Sequence, residues 1–574
     1  MITIKNHKQL EIFDPWAHLS PKRRQMLEQG WPGLLQKEIL GELPVEKLMP
    51  FFCSNNGRPS KELSAVLGVL VLQQTMDLTD EEAVQSLAFD IRWHYAMNIT
   101  EESDFAKYMC PKTLWHMRSI VAENHLESEF FKTATGKLLK RFAVDTDKQR
   151  LDSVHIRSNM KRLGRITIFV TAINKFIKNL KRQYKSLFES LDPDLVERYL
   201  PEKALKCFGA IKPSESGKTL KTVSQDLFNL VRGFKDNADV TGMHSYKLLD
   251  RIIDEHCNLT ASEEGTRIDI KPPKEIPSDS LQNPSDPDAT YSGHKGQGYQ
   301  VQIMETYSDA EENKKEKDLR LITHVKVEQA HESDAHALIP AIKDTRERDV
   351  SPREVLVDAA YGGDDNVRKA EKESVEVVAP AMGDAQNNDK LHLSDFELSD
   401  KGTITACPIG HAPIETKKKK RFVAAFDLMH CKGCPNEAVC PAKRGKKRYY
   451  LRYGAKEMRL AKRRAYEQTE AFVDRYRWRA GVEATMSEFD RRTGVKQLRV
   501  RGLKAVRYSA TMKALGLNIL RAAAAWAMEK AGKDASTQSK RGLILLFMIV
   551  KELFGSFFQK VIRIFIGPRP IMGI

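Results

Sequence analysis

The sequence predicts an α/β fold in which a helical N-terminal part precedes a core of mixed strands and helices. The apolar residues of 60–76 recur at the spacing of one helix face, whereas 141–156 has an extended, β-compatible pattern. Further on, 298–306 alternates apolar and polar residues, and 354–358 is a short apolar run that ends in a carboxylate. Strand signals that follow helical signals in this way predict a sheet packed against helices.

Changes of pattern along the 574 residues predict three units. Residues 1–140 are predicted to form a helical domain, 141–500 an α/β core, and 501–574 a C-terminal helical region. Two insertions interrupt the predicted core. One is helical and covers about 160–262, and the other is rich in cysteine and basic residues and covers about 385–450.

The charge of the chain indicates an anionic partner. The chain has 93 Lys and Arg residues against 77 Asp and Glu residues, a net charge of +16, with basic residues concentrated at 417–421 and again through 443–464. Such a surface attracts phosphate backbones because binding releases their counterions. The N-terminal domain adds Arg92, Trp93 and Trp115, which are typical of a DNA-binding surface or of plain scaffold. The charge therefore predicts a phosphate-backbone partner such as double-stranded DNA, bound in part by the N-terminal domain, and a solvated surface that keeps the chain soluble is the alternative.

The sequence predicts neither export nor a membrane anchor. Its N-terminus lacks the long apolar core of a secretory signal. The most apolar stretch, 543–550, is shorter than the roughly 20 residues that a spanning helix needs. We expect a cytoplasmic protein in which 543–550 forms a buried or partner-facing helix.

Three acidic residues occur in contexts that suggest a metal-dependent centre acting on phosphodiesters. Asp152 lies in the extended segment, and Asp358 ends a short buried strand. Tyr476, Arg479 and Glu483 occupy positions i, i+3 and i+7, which lie on one stripe of a helix. Three carboxylates on separate elements can hold two Mg²⁺ ions, or Mn²⁺, because such ions prefer oxygen ligands.

Other acidic residues compete for these roles. Asp145 and Asp147 share the extended stretch of Asp152, and Glu488 lies five residues beyond Glu483. Five residues rotate a helix by about 500°, so Glu488 is expected to point away from the stripe. The adjacent apolar stripe, which would hold Glu483 at the edge of the core, consists of Val482, Met486 and Phe489.

Four of the eight cysteines cluster within the second insertion. Cys407 begins a Cys-Pro-Ile-Gly-His segment that ends at His411, and Cys431, Cys434 and Cys440 follow. Thiolates at this spacing, one pair being Cys-x-x-Cys, suit a closed tetrahedral zinc site, with His411 as an alternative ligand. Free thiols, or a redox pair at Cys431 and Cys434, are the alternatives. We expect a structural Zn²⁺ that holds together an insertion with few large apolar residues.

Three passages resemble segments of bacterial insertion-sequence transposases that have an RNase-H-like DDE core. They are LDSVHIRSNM (151–160), VLVDAAYGG (355–363) and YRWRAGVEATMSEFDRRTG (476–494). The third is similar to the signature Tyr-x-x-Arg-x-x-x-Glu-x-x-x-x-x-x-Lys/Arg. The helical N-terminal part resembles the domain that precedes this core, and 498–521 resembles its tail. The resemblance covers most of residues 50–525, and it implies a bacterial, nucleoid-associated protein.

The resemblance also implies a reaction. Asp152, Asp358 and Glu483 would hold two Mg²⁺ ions, while Tyr476 and Arg479 would bind the DNA phosphate beside the cut. A water molecule would release a 3′-hydroxyl at each element end, and this hydroxyl would attack target DNA. The partners would be the element's terminal inverted repeats and the target DNA. A homodimer or higher oligomer would pair the two ends.

The chain departs from the signature after the glutamate. Counting from Glu483, the expected basic residue falls on Asp490. Arg491 and Lys496 are the candidates for the phosphate-binding role. A further departure is the helical insertion after Asp152, since insertions in such transposases more often precede the glutamate.

Rival hypotheses remain open at this point. A metal-dependent DNA endonuclease without strand transfer would use the same residues. A domesticated DNA-binding protein with a dead centre would not need Asp152, Asp358 and Glu483. A zinc-ribbon transcription factor would leave both Asp358 and Glu483 unexplained.

Overall fold

The computed structural model describes residues 2–9, 12–53, 56–201, 213–262, 265–309, 319–382, 390–418 and 421–535. The predicted helix at 543–550 lies outside the described residues. Among the helices within these ranges, none is long and apolar enough to cross a membrane. A mixed sheet surrounded by helices confirms the predicted α/β class.

Helices make up the N-terminal part. They are α1 (Pro21–Gln29), α2 (Trp31–Leu34), α3 (Leu63–Thr75), α4 (Asp80–Phe89), α5 (Ile91–Ala96), α6 (Asp104–Lys107), α7 (Pro111–Glu123) and α8 (Leu126–Arg141). Apolar residues occur all around α3, and so this helix is buried on nearly every side. Thr79 begins α4 with a capping box closed by Glu82. Of the aromatic residues predicted to face DNA, Trp93 is instead buried in the core, whereas Trp115 is exposed.

The chain then forms the first strand of the sheet and leaves it for the helical insertion. The strand is β1 (Lys148–Arg157). The insertion contains α9 (Arg165–Gln183), α10 (Lys185–Glu189), α11 (Pro193–Tyr199), α12 (Ser216–Phe234), α13 (Ala238–Thr241) and α14 (His244–His256), followed by the hairpin of β2 (Cys257–Ser262) and β3 (Gly265–Ile270). Apolar faces on α9, α12 and α14 pack into a core of their own. The insertion is therefore a separately packed layer beside the sheet.

The sheet is completed after the insertion. Its remaining elements are β4 (Thr290–Ser292), β5 (Gly296–Thr306), β6 (Ile322–Gln329), α15 (Leu338–Arg346), β7 (Glu354–Leu356), α16 (Asp364–Lys372) and β8 (Glu376–Val378). β5 pairs antiparallel with β1, β4 and β6. β7 pairs parallel with β1, and β8 pairs parallel with β7. In the sheet, β1 therefore has the antiparallel strand β5 on one side and the parallel strands β7 and β8 on the other.

Alternation along β1 assigns its two faces to different layers. Leu151 packs on one face with residues of α15 and of the strand at Val355. Val154 and Ile156 pack on the other face, in the core shared with the N-terminal helices. Arg150 and Asp152 belong to this second face, because they alternate with Leu151 along the strand.

The cysteine-rich insertion forms a small sheet. Its elements are β9 (Glu397–Leu398), β10 (Ile404–Ala406), β11 (Glu415–Lys418), β12 (Phe422–Asp427), α17 (Leu428–Cys431), β13 (Lys443–Arg444) and β14 (Arg448–Tyr453). Contrary to the expectation of few large apolar residues, this insertion has an aromatic core that includes Phe422, Phe426, Tyr449 and Tyr453. Alternating aromatic residues on β12 and β14 meet on one face and form this core.

The described part of the chain after the cysteine-rich insertion forms helices that pack against the sheet. They are α18 (Ala455–Glu467), α19 (Glu470–Tyr476), α20 (Gly481–Thr493) and α21 (Leu503–Ala535). The segment predicted as a helix through Tyr476 and Glu483 is helical throughout, and a 3₁₀ turn at Arg477–Ala480 forms its middle part between α19 and α20. In the middle of α21, the buried Asn518 side chain bonds both backbone groups of Ile322, with distances of 2.8 Å. This contact fastens α21 to β6.

Candidate active site

Pairing of β1 with β7 brings the first two acidic residues side by side. The parallel register aligns Arg150 with Leu356. Two residues further along both strands, the same register places Asp152 beside Asp358. Asp358 follows the end of its strand, where its Oδ1 accepts a hydrogen bond from the N–H of Ala360 at 2.8 Å. The two carboxylates therefore come from neighbouring strands, although 206 positions separate them in the sequence.

A single guanidinium contacts all three predicted carboxylates. Arg479 Nη2 lies 2.9 Å from Oδ2 of Asp152 and 3.9 Å from Oδ2 of Asp358. Arg479 Nη1 lies 3.4 Å from Oε1 of Glu483. Because one side chain reaches all three, β1, the loop after β7 and the start of α20 converge on one point. Three negative charges and one positive charge leave this point with a net negative charge.

The surroundings of the cluster differ from one carboxylate to the next. Burial raises the pKa of Asp152, and the Arg479 guanidinium opposes this effect. Glu483 is largely exposed, in the first turn of α20, where the helix dipole favours a negative charge. Tyr476 stacks on Phe472 with 5.2 Å between ring centroids, and burial raises the pKa of its phenol. The cluster is thus closed on the side of Asp152 and open on the side of Glu483.

The competing acidic residues have other partners. Asp147 lies 3.4 Å from Arg353, and Asp145 accepts a hydrogen bond from the Asp147 N–H at the entrance to β1. Glu488 binds Arg521 at 2.7 Å and Arg492 at 2.8 Å. Its carboxylate points away from Glu483, as the helical rotation predicted. The apolar stripe of Val482, Met486 and Phe489 is buried.

The residues near the expected basic position lie in the loop after α20. The Asp490 carboxylate accepts a hydrogen bond from the N–H of Lys496 at 3.1 Å, so it caps this loop. The Lys496 carbonyl accepts a hydrogen bond from the Arg157 N–H at 2.8 Å, at the far end of β1. The side chains of Arg491 and Lys496 are exposed. Both can reach a ligand in solution, and Lys496 is fastened to the strand that carries Asp152.

Sequence reasoning missed a second polar group on the opposite face of β1. Lys295 donates to Ser153 at 2.8 Å and to Asp334 at 3.0 Å. Asp334 also accepts from Gln302 at 2.9 Å, and Gln302 in turn accepts from Tyr361 at 2.6 Å. Asp334 lies in the turn after β6, which ends at Gln329. This position shortly after a strand was the signal that could have placed it near the sheet edge.

A buried ion pair behind the cluster was also missed. Arg150 and Glu305 are both buried, and their side chains are joined by a hydrogen bond of 2.7 Å from Nε of the arginine. The alternation of β1 was the available signal, because it places Arg150 on the same face as Asp152.

The four clustered cysteines line one small cavity in the second insertion, together with His411, His430 and Glu437. Two turns shape it, at Gly410 and Gly433, whose φ angles of +87° and +82° favour glycine. Burial, followed by the neighbouring thiols of the other three cysteines, raises the pKa of Cys431 to about 11. The Cys407, Cys431, Cys434 and Cys440 side chains therefore share one environment.

Within the described ranges, no group of three or more His, Cys, Asp or Glu side chains is arranged to hold a metal ion. At the acidic cluster, the Arg479 guanidinium lies among the carboxylates and serves as their cation. The chemistry of the donor set fits Mg²⁺ or Mn²⁺, which take carboxylate oxygens and keep part of their water. A metal ion would replace Arg479 as the partner of these oxygens.

Comparisons with known proteins identify two parts of the chain. A family model described as Transposase DDE domain matches residues 406–523, and one described as Transposase domain (DUF772) matches residues 36–119. The two matches indicate a DDE-type insertion-sequence transposase. The resemblance seen in the sequence is thereby confirmed. Neither the curated proteins nor the solved structures provide a match to this chain.

Of the three candidate carboxylates, only Glu483 lies within a matched segment. The DDE-domain match includes Glu483, Arg479 and the cysteine cluster, and the second match covers helices of the N-terminal part. Asp152 and Asp358 lie outside both matched segments. Their assignment rests on the contacts with Arg479. Members of this family act on DNA and generally use divalent metals such as Mg²⁺.

The raised pKa of Asp152 predicts that this residue destabilises the metal-free fold at neutral pH. Folding disfavours its ionised form, so the contribution of Asp152 to stability is greatest when it is protonated and is lost as pH rises through the raised pKa. With EDTA present, Asp152→Asn is expected to raise the melting temperature at pH 7 by about 1 °C. The gain should disappear at pH values below the ordinary carboxyl pKa of 3.8. Differential scanning fluorimetry across pH measures both effects.

The exposed residue Asp279 provides the matched control. Asp279→Asn should leave the melting temperature unchanged across the same pH range. An equal gain in both variants, or a gain for Asp152→Asn that grows as pH falls, would contradict the assigned environment of Asp152.

Proposed function

We propose that this transposase cuts DNA at the ends of its insertion sequence and joins the released 3′ ends to target DNA in a metal-dependent reaction. Asp152, Asp358 and Glu483 are its catalytic carboxylates. The observation that carries the proposal is the contact of all three with Arg479, although they come from three separate elements. An unrelated set of surface acids has no reason to converge on one guanidinium.

The topology of the sheet supports an RNase-H-like core. Its first strand carries Asp152, antiparallel strands lie on one side, and two parallel strands lie on the other. This mixed arrangement puts Asp152 in the middle of the sheet and Asp358 at the end of the adjacent strand. The proposal includes the predicted domain bounds of 1–140, 141–500 and 501–574.

The protein groups have separable tasks in this reaction. The three carboxylates would hold the divalent cations, and such cations would supply an activated nucleophile and a counter-charge for the departing oxygen. Arg479 and Tyr476 lie beside them and offer a cation and a phenolic O–H to a phosphate oxygen. Lys496 and Arg491 provide further hydrogen-bond donors to phosphates along the bound DNA strand.

The basic insertion provides a surface for DNA. Its exposed basic residues are Lys417, Lys418, Arg421, Lys443, Arg444, Lys446 and Lys447. They lie on and between strands of the small sheet, which joins directly to α18 and so to the helix that leads to the site. Contacts of this kind bind phosphates without reading the sequence. We propose that terminal inverted repeats and target DNA occupy this surface and the N-terminal helical domain, in a dimer or higher oligomer.

Cleavage of a supercoiled plasmid that carries the element's ends tests the proposal. With Mg²⁺, the wild type should cut at the ends and form joined products. Glu483→Gln should bind the ends normally and cut at least about a thousandfold more slowly, because it removes several kcal/mol of charge stabilisation. Glu470→Gln, an equivalent change at an exposed residue of α19, should cut normally.

The outcomes separate the rival hypotheses. Cutting without joined products would favour an endonuclease, and binding without any cutting would favour a dead centre. Equal rates for Glu483→Gln and wild type would remove Glu483 from the centre. Glu488→Gln is a second comparison, because this residue binds Arg521 and Arg492 outside the cluster. It should lower stability and leave the cutting rate per folded molecule intact.

We also propose that Cys407, Cys431, Cys434 and Cys440 bind a structural Zn²⁺. Their convergence on one cavity and the two glycine turns beside them support this assignment. Because the insertion has its own aromatic core, the ion would fix the end of the small sheet without being the sole source of its stability.

Metal analysis of the purified protein tests the zinc site. The wild type should contain about one zinc ion per chain, and Cys434→Ser should lose it, because one thiolate of the tetrahedral set is missing. Cys110→Ser should keep the ion, since Cys110 is an exposed cysteine of the N-terminal part. Absence of zinc from wild type, or equal loss in both variants, would contradict the assignment.

A further inference from the structure

The acidic cluster lies directly above a buried network of charged groups. Glu305 is fully buried in the middle of the sheet, and its Oε1 accepts from Nε of Arg150 at 2.7 Å. Its other oxygen, Oε2, accepts from Thr485 at 2.8 Å and from Arg521 at 3.1 Å. One carboxylate therefore joins strands β1 and β5 to helices α20 and α21.

Arg150 extends this network to the turn that carries the guanidinium of the site. Its Nη1 donates to the backbone carbonyl of Trp478 at 2.7 Å. Trp478 immediately precedes Arg479 within the 3₁₀ turn. Thr485, on the other side of Glu305, lies two residues beyond Glu483 in α20. The network thus holds the chain just before Arg479 and just after Glu483.

Gly481 leaves the room that Arg150 needs for this contact. A Cβ atom on Gly481 would lie 2.0 Å from Nη1 of Arg150 and 2.7 Å from its Cζ. The backbone of Gly481 is helical, with a φ of −64°, so its conformation does not require glycine. Glycine is needed here because a buried guanidinium occupies the space of the side chain.

We propose that Arg150, Glu305 and Gly481 are positioning residues for the cleavage reaction. They set the turn that presents Arg479 to the three carboxylates, and they do not touch DNA themselves. The assignment rests on the proposed function, because it concerns the same site. Small displacements of a reacting group are costly, since about 1 Å can lower a rate by about a hundredfold.

A purely stabilising role is the alternative for such a buried pair. Buried ion pairs frequently contribute little to stability compared with apolar packing, and their loss mainly leaves an unpaired charge. The two roles differ in what they predict for folded protein. A stabilising contact changes the amount of folded enzyme, whereas a positioning contact changes the rate of each folded molecule.

The test compares Gly481→Ala with Gly516→Ala. A Cβ on Gly516, in α21, would lie 2.2 Å from Oγ1 of Thr75, which is a clash of similar severity in the core of the N-terminal helices. Melting temperature, affinity for DNA carrying the element's ends, and single-turnover cleavage with Mg²⁺ are measured for both variants and wild type. Rates are divided by the folded fraction at the assay temperature.

We expect Gly481→Ala to bind the ends like wild type and to cut about ten- to a hundredfold more slowly per folded molecule. Gly516→Ala should lose stability and cut at the wild-type rate per folded molecule. Equal cutting by the two variants would overturn the positioning role. So would normal cutting by Gly481→Ala.

A second variant keeps the test decisive if Gly481→Ala does not fold. Arg150→Lys retains the charge beside Glu305 but lacks the planar fork that reaches both Glu305 and the Trp478 carbonyl. It should fold, bind the ends and cut slowly, and wild-type cutting by Arg150→Lys would overturn the proposal. Absence of cutting by the wild type would contradict the proposed function itself, which is a different outcome from a difference between variants.

Discussion

The fully buried carboxylate of Glu305 is the contact on which the centre of the molecule depends. It binds Arg150 of β1 and Arg521 of α21, and through Thr485 it reaches the helix that carries Glu483. A charge without access to water is stable only when its partners are complete, so these elements must assemble together. The sheet and the C-terminal helices therefore form one cooperative unit, with the acidic cluster at its edge.

Arg479 partly neutralises the acidic cluster in the absence of metal. Its guanidinium contacts three carboxylates, which would otherwise repel one another on a partly buried surface. The remaining net negative charge favours a divalent cation over the single charge of arginine. Released from the carboxylates, Arg479 would become available to a phosphate. The same residue would then stabilise the free enzyme and bind the substrate, with different partners in each state.

The sequence predicted the parts of the site that short motifs encode. Neighbouring residues singled out Asp152, Asp358 and Glu483 as candidates, and all three contact Arg479 in the structure. Helical rotation predicted that Glu488 points away from them, and Glu488 instead pairs with Arg521 and Arg492. The 3₁₀ turn before Gly481 was not predicted, because the close approach of Arg150 to Gly481 is a tertiary contact between residues 331 positions apart. The buried pair of Arg150 and Glu305 was missed because strand alternation predicts the face on which a residue lies but not its partner. The aromatic core of the second insertion was overlooked because its basic residues dominated the pattern.

Crystals of the protein soaked in Mn²⁺ test the central claim most directly, through the anomalous scattering of the metal. We expect manganese bound to Asp152, Asp358 and Glu483, with the Arg479 guanidinium withdrawn from all three. Manganese bound at other acidic residues, or an unchanged Arg479 at saturating Mn²⁺, would contradict the claim that these carboxylates form the metal-dependent centre.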